Sequence, residues 1–340
     1  MNEGYSKLLI KYTLVFYCLL SLTGCDLPKR NETGSQTTSY QKSQNDVIAN
    51  EEYVMITTSV SMPMYMNRDQ KSFKRWAEHV GVKISILGPA DWDVPAQINI
   101  IEEVIGTHPT GLLINGTDPA IAQVINKAVA AGIPTVVYDS NIPNANHHAF
   151  LGTDWYEIGT MQGEEMARLI NGKGKVGYMG IVGMANMEAG FRGLLDVFKK
   201  YPGIEVVGKF DSKASVEVAA RISADLISAH PDIAGICGFD GPSGPGIALA
   251  VKEAGKVGAI KITTVDGEPE HIQLVKEGTI QLLAAQKREL FTWYGAQFLY
   301  DMVHQTNSLS KNDIKAGITN IPYHVNTGLI KITKENVDNF

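Results

Sequence analysis

At 340 residues, with 44% hydrophobic and 19% charged side chains, the chain has an ordinary globular composition and length enough for two cores. Lys and Arg number 30 against 36 Asp and Glu, a formal net charge of −6, and no basic cluster supplies the footprint that nucleic acid requires. Strongly apolar sequence is concentrated near the start.

There, Lys7 and Lys11 precede "YTLVFYCLLSL", a run too short for a permanent membrane span but long enough for the core of a signal peptide. It ends in "LTGC", which resembles the bacterial lipobox, and so predicts that residues 1–25 are a lipoprotein signal and that Cys25 carries lipid. Cys18 falls in the signal core, so Cys237 is the only cysteine left for the folded body and no intramolecular disulfide is expected. Residues 26–50, rich in Ser, Thr, Asn and Gln, cannot bury enough apolar surface to order themselves and read as a tether. As a flexible coil it would reach roughly 25–30 Å.

Beyond the tether, strands and helices alternate. "YVMITTSV" reads as a strand running into a loop at "SMPM". Phe73, Trp76, Ala77 and Val80 then repeat at i, i+3, i+4, i+7 and mark a helix. The strand "VKISIL", a helix carrying Ile98, Ile101 and Ile105, and the strand "TGLLI" follow. Asp118 is placed to cap a helix that has Pro119 at its first position and Gly132 at its end. "IPTVVYD" closes this set. A second set begins near Asp154, with helical faces Phe191/Leu194/Leu195/Phe198 and Val218/Ile222/Leu226 and the strands "KVGYMGI", "IEVVGKF", "IAGICGF" and "IKITTV". Two successive β-α-β series imply an α/β protein with two doubly wound parallel sheets, helices on both faces of each.

Four strands end on polar residues: Asp139, Asp240, Asp266 and Gln286. In open parallel sheets, ligands sit beyond the carboxyl ends of the strands. "DGEP" and "DGPSGPG" hold Asp266 and Asp240 two or more residues before the next helical turn, which suits ligand contact better than capping. Carboxylates only accept hydrogen bonds, and one can take two adjacent hydroxyls, while a glutamine amide both donates and accepts. The set suits a small, neutral polyhydroxy ligand. An anion would call for Arg or Lys.

From about Glu51 onward the chain resembles type I periplasmic binding proteins of the ribose-binding kind. The stretches that carry the resemblance are "GLLINGTDPAIAQVINKAVAAGIPTVVYDS", "GFRGLLDVFKKYPGIEVV", "ISAHPDIAGICGFD", "TTVDGEP" and "NIPYHVNTGLIKITKENVD". The resemblance implies two lobes, 51–154 plus 288–325 and 155–287 plus 326–340. Three hinge crossovers would join them near Thr153–Asp154, Gln286–Lys287 and His324–Asn326, with the ligand between. It places Thr58, Met62, Met64 and Tyr65 of the first-strand loop at the ligand, with Tyr65 packing on the apolar face of a sugar ring. Asp139 and Ser140 would line one side of the cleft, and Asp240, Asp266 and Gln286 the other side or the hinge. Where simple-sugar binders often carry Arg, this chain has Met187 beside Asn186, and Lys213 and Ala214 replace a customary aromatic. The implied role is capture of a monosaccharide or polyol for a membrane ABC permease, by a monomer anchored outside the cytoplasm, with no cofactor or metal.

Rival readings have less support. "GPSGPGIAL" with Asp266 mimics a dinucleotide loop, but its last glycine is missing, and Pro242 and Pro245 remove donors a phosphate would need. His147 and His148 are adjacent in an expected crossover strand and would face opposite ways, too divergent to chelate one metal. Trp293 lies on a Phe291/Tyr294/Phe298/Met302 face and reads as core. Asp139, Asp240 and Asp266 could serve glycoside cleavage, yet no nucleophile elbow, phosphate loop or metal-ligand cluster accompanies them. A repressor of the same fold would carry DNA-binding helices where the secretion signal stands. A lipid-anchored subunit reporting sugar to a sensor kinase would use the same ligand site as an importer subunit.

Overall fold

The computed structural model describes residues 50–340; the signal segment, Cys25 and residues 26–49 of the tether lie outside the described residues. Strands β1 (Glu52–Ile56), β2 (Lys83–Leu87), β3 (Gly111–Gly116), β4 (Thr135–Asp139), β5 (Ala149–Gly152) and β11 (His324–Asn326) form one sheet in the order β11-β5-β4-β3-β1-β2, parallel throughout. The second sheet takes β6 (Lys173–Gly180), β7 (Gly203–Asp211), β8 (Ile233–Gly238), β9 (Lys261–Val265), β10 (Leu282–Gln286) and β12 (Leu329–Ile332). Its order is β12-β10-β9-β8-β6-β7, and only β12 runs antiparallel.

The inner strands are buried on both faces. Val136, Val137 and Tyr138 of β4 and Leu112, Leu113 and Ile114 of β3 are fully enclosed, as helices on either side of a parallel sheet require. Each sheet accordingly has two apolar clusters, one per face. Cys237 is buried in the second half, where burial pushes its thiol up to about 12.

The chain passes between the sheets at three places: from β5 to the helix Trp155–Leu169, from β10 to the helix Arg288–His304, and from β11 to β12. Asp118 accepts from Ala120 N at 2.7 Å, capping a short 3-10 turn at Pro119–Ile121 that runs into the helix Ala122–Ala130. The helices Trp155–Leu169 and Ala185–Phe198 cross so closely that a Cβ on Gly159 would lie 1.8 Å from Gly190 O. That crossing sets Trp155 and Asn186, near the two helix starts, on one wall. No helix among the described residues is long and apolar enough to cross a membrane.

Three local expectations are corrected. The loop after β1 is shorter than expected, because Met64 is already helical and Tyr65–Gln70 form a π-helix that leads into the helix Lys71–Val80. In Arg288–His304 the buried stripe is Arg288, Phe291, Thr292, Gly295, Ala296 and Leu299; Tyr294 is exposed, and Trp293 packs partly buried against His79. His147 and His148 precede β5 instead of lying in it; His147 stacks on Tyr323, and His148 Nδ1 accepts from Thr135 N at 3.1 Å.

Candidate functional site

The carboxyl ends of β3, β4, β8, β9 and β10 converge on a cavity of about 90 Å³ between the two sheets. Asp139 and Gln286 are the last residues of β4 and β10, Asp266 follows β9, and Asp240 lies two residues past β8. All four line the cavity, together with Ser140, Asn186, Met62, Met64 and Tyr65. Thr58 does not. It is fully buried beneath the wall, its hydroxyl 2.8 Å from Asn115 Oδ1 and 2.9 Å from Thr117 Oγ1.

The four strand-end groups differ in what they already bind. Asp240 is engaged: Ser243 N and Oγ donate to its Oδ1, the former at 2.8 Å, and Ser212 Oγ donates to Oδ2. This ties down the start of the helix Ser243–Glu253 and overturns the expectation that capping fits Asp240 poorly. Burial nevertheless raises its pKa, with the serine hydrogen bonds opposing.

Asp139 is held by a guanidinium. Arg288 Nη1 donates to its Oδ1 at 2.9 Å, Arg288 Nη2 to its Oδ2 at 3.2 Å, and Asn115 Nδ2 to Oδ2 at 3.1 Å. Arg288 also grips Asp69 through Nε at 2.9 Å and Nη2 at 2.7 Å. Its guanidinium carbon lies 5.3 Å from the Tyr65 ring centre. Asp69 is fully buried on the π-helix, and burial pushes its carboxyl up to about 7, against the lowering by Arg288. Thus Asp69, Arg288, Asp139, Asn115 and Thr58 form one continuous polar chain, which reaches the cavity at Arg288 and Asp139.

Asp266 and Gln286 are different. No group among the described residues hydrogen-bonds the Asp266 side chain, and burial raises its pKa while His271 and Arg288 pull it down. Among the described residues, Gln286 Oε1 and Asn186 Oδ1 are buried acceptors without a partner, and Trp155 Nε1 is a buried donor without one. Such orphaned groups cost about 1–3 kcal/mol each unless a ligand satisfies them. Three carboxylates line the cavity against one guanidinium, so its field disfavours an anion.

Asp139 and Asp266 have φ of 80° and 67°, in the left-handed region where non-glycine residues are uncommon. Such strain gathers at binding sites, where the surroundings hold a side chain off its preferred course.

Arg68 bridges the halves from the outer side of the π-helix. Its Nη2 donates to Gly267 O at 2.7 Å and its Nε to Glu268 Oε1 at 3.4 Å, both beyond β9, while Nη1 reaches Glu289 at 2.8 Å. Asn67 Nδ2 adds a contact to Glu268 at 3.2 Å.

Arg288, Asp69, Trp155 and Trp92 are members of this constellation that the sequence reading did not assign to it. Arg288 carried a signal: it shares a helical stripe with Phe291, Gly295 and Leu299, and so faces inward. Asp69 carried none, since its partner lies 219 residues away.

Two six-stranded sheets with a cavity at their facing carboxyl ends define a two-lobed binding protein of the type I periplasmic kind. Residues 53–306 match the periplasmic binding protein domain family, and the chain belongs to it. It is 24% identical over 248 residues to the D-allose-binding periplasmic protein of Escherichia coli, covering 69% of this chain and 79% of that one. A sugar-binding protein of a sugar ABC transporter from Bacillus halodurans superposes with a TM-score of 0.78 at 31% identity, over 86% of this chain and 100% of that one. AraP, an arabinose-binding protein from Geobacillus stearothermophilus, gives 0.76 at 33%, over 86% and 99%.

Proposed function

We propose that this protein is an extracytoplasmic solute-binding protein that captures a neutral monosaccharide or polyol between its lobes and delivers it to an ABC importer. One observation carries the ligand class: the cavity holds buried acceptors with no partner among the described residues, at Gln286 and Asn186, beside the Asp266 carboxylate, and hydroxyls are the donors that fit them. The allose and arabinose named for the relatives are molecules of this kind. The reading includes lipid on Cys25, holding the body near a membrane through the tether.

A thermal-shift screen of the purified protein against pentoses, hexoses, cyclitols and alditols tests the ligand class, and mass spectrometry of its mature N-terminus tests the anchor. With about 11 heavy atoms at roughly −0.7 kcal/mol each, a micromolar dissociation constant is within reach. Ligand at about 100 times that constant stabilises the folded state by about 2.7 kcal/mol, and it is recovered chemically intact. A shift given only by sugar phosphates or uronic acids, or turnover of the ligand, overturns the reading. An unacylated mature N-terminus removes the anchor.

In the same reading, 51–154 with 288–325 and 155–287 with 326–340 are lobes that close about the three crossings. Arg68 then acts as a clasp. Half-exposed ion pairs contribute up to about 1 kcal/mol each, and 1.4 kcal/mol is about tenfold in a closed-to-open ratio. Arg68→Ala is expected to raise the radius of gyration of the unliganded protein in small-angle scattering. An unchanged radius removes the clasp from the closing mechanism.

A further inference from the structure

The binding cavity adjoins two neighbours, and the residues it shares with each are of opposite character. A smaller cavity of about 40 Å³ shares Asp266, Gln286 and Arg288 with it. An outer vestibule of about 510 Å³ shares Met62, Trp92, Thr117, Ile181, Met184 and Ala214. One shared border is therefore charged and the other, which serves as the mouth, is apolar, with Thr117 supplying the sole side-chain hydroxyl of its six shared residues.

A plain sugar or polyol is hydroxylated on every side. Its mouth-facing hydroxyls would lie against thioethers, an indole, an isoleucine and an alanine, apolar groups that offer no hydrogen bond in exchange for the water they displace. An apolar substituent gains where those hydroxyls lose. The charges near this mouth, Asp118, Asp211 and Lys213, line the vestibule but not the inner cavity, which suits a short neutral group. Methionines at Met62 and Met184 adapt readily to an aromatic ring.

We propose that the ligand is an amphipathic glycoside: a sugar whose hydroxylated part meets Asp266, Gln286 and Asn186, and whose alkyl or aryl substituent lies in the vestibule on Trp92, Ile181 and Met184. This rests on the sugar-binding reading above and narrows it.

The test is titration calorimetry on the full protein with D-xylose, D-arabinose, D-allose and D-galactose, each alongside its methyl and phenyl glycosides in both anomers. At least one phenyl glycoside is expected to bind roughly tenfold to a hundredfold tighter than its parent sugar, with the methyl glycoside between them. Trp92→Ala, at a residue 41% exposed, and Met184→Gln are each expected to reduce that gain without lowering the thermal midpoint. Both should weaken the phenyl glycoside by a larger factor than the parent sugar. The inference is overturned if phenyl glycosides bind no tighter than the parent sugars. It is also overturned if the variants weaken parent and phenyl glycoside by the same factor, which would make the mouth a closing surface only. If neither sugars nor glycosides bind, the sugar-binding reading falls and this inference with it.

Discussion

Arg288→Ala is expected to cost about 3–5 kcal/mol of stability at neutral pH, because it strands two buried carboxylates whose charge the guanidinium now offsets. Arg288 is 3% exposed and makes four hydrogen bonds to Asp69 and Asp139. Unfolding in urea, or a thermal midpoint lowered by roughly 2 °C per kcal/mol, reads the effect. The pH dependence has a definite sign. The folded-state pKa of Asp69 is already raised to about 7 by burial, above the ordinary 3.8, and it rises further without Arg288. The folded variant therefore takes up protons that the unfolded chain does not, and its deficit shrinks as the pH is lowered from above 7 toward 4. Adding Asp69→Asn to the variant should recover part of the loss at neutral pH. A single variant that stays within about 1 kcal/mol of the parent would show that the pair contributes little.

Asp266→Asn is expected to do the reverse: weaken binding by roughly tenfold to a hundredfold while leaving the unliganded fold as stable as before, or more so. Asp266 has no hydrogen bond to lose among the described residues, and its raised pKa means that its ionised form opposes folding at neutral pH. Asparagine also tolerates the left-handed backbone at this position, where φ is 67°. Ligand hydroxyls donating to the carboxylate favour its charged form, so affinity in the parent should fall as the pH is lowered through the raised pKa of Asp266. Calorimetry across pH should show that slope in the parent and lose it in the variant. Equal losses of affinity and of unliganded stability would make Asp266 a structural residue.

These two residues also show what could be read from the chain alone. The alternation of strands and helices, and polar residues ending apolar strands, are local signals; they placed Asp139, Asp266 and Gln286 at a common edge before any coordinates. What each of them binds is not local. Asp139 and Asp266 end their strands in similar settings, yet one is taken up by Arg288 and Asn115 and the other has no protein partner. The difference depends on a π-helix whose register brings Asp69 inward within the polar run "YMNRDQ", with no periodic signal to announce it. Thr58 is the converse case: its place in the chain pointed to the cavity, but the hydroxyl turns down into the network with Asn115 and Thr117. Asp240 was legible as a strand end, while its partners are Ser243 at the next helix start and Ser212, brought alongside by the loop after β7.

The bridge made by Arg68 separates two properties that binding proteins often alter together. Arg68 does not line the central cavity, yet it joins the halves that enclose that cavity. In the closing reading proposed above, a change there acts on the fraction of molecules ready to bind and is expected to multiply every dissociation constant by a similar factor. The concentration at which the protein responds can therefore drift under selection, or be set by an engineer building a sugar sensor, with its order of preference among solutes intact.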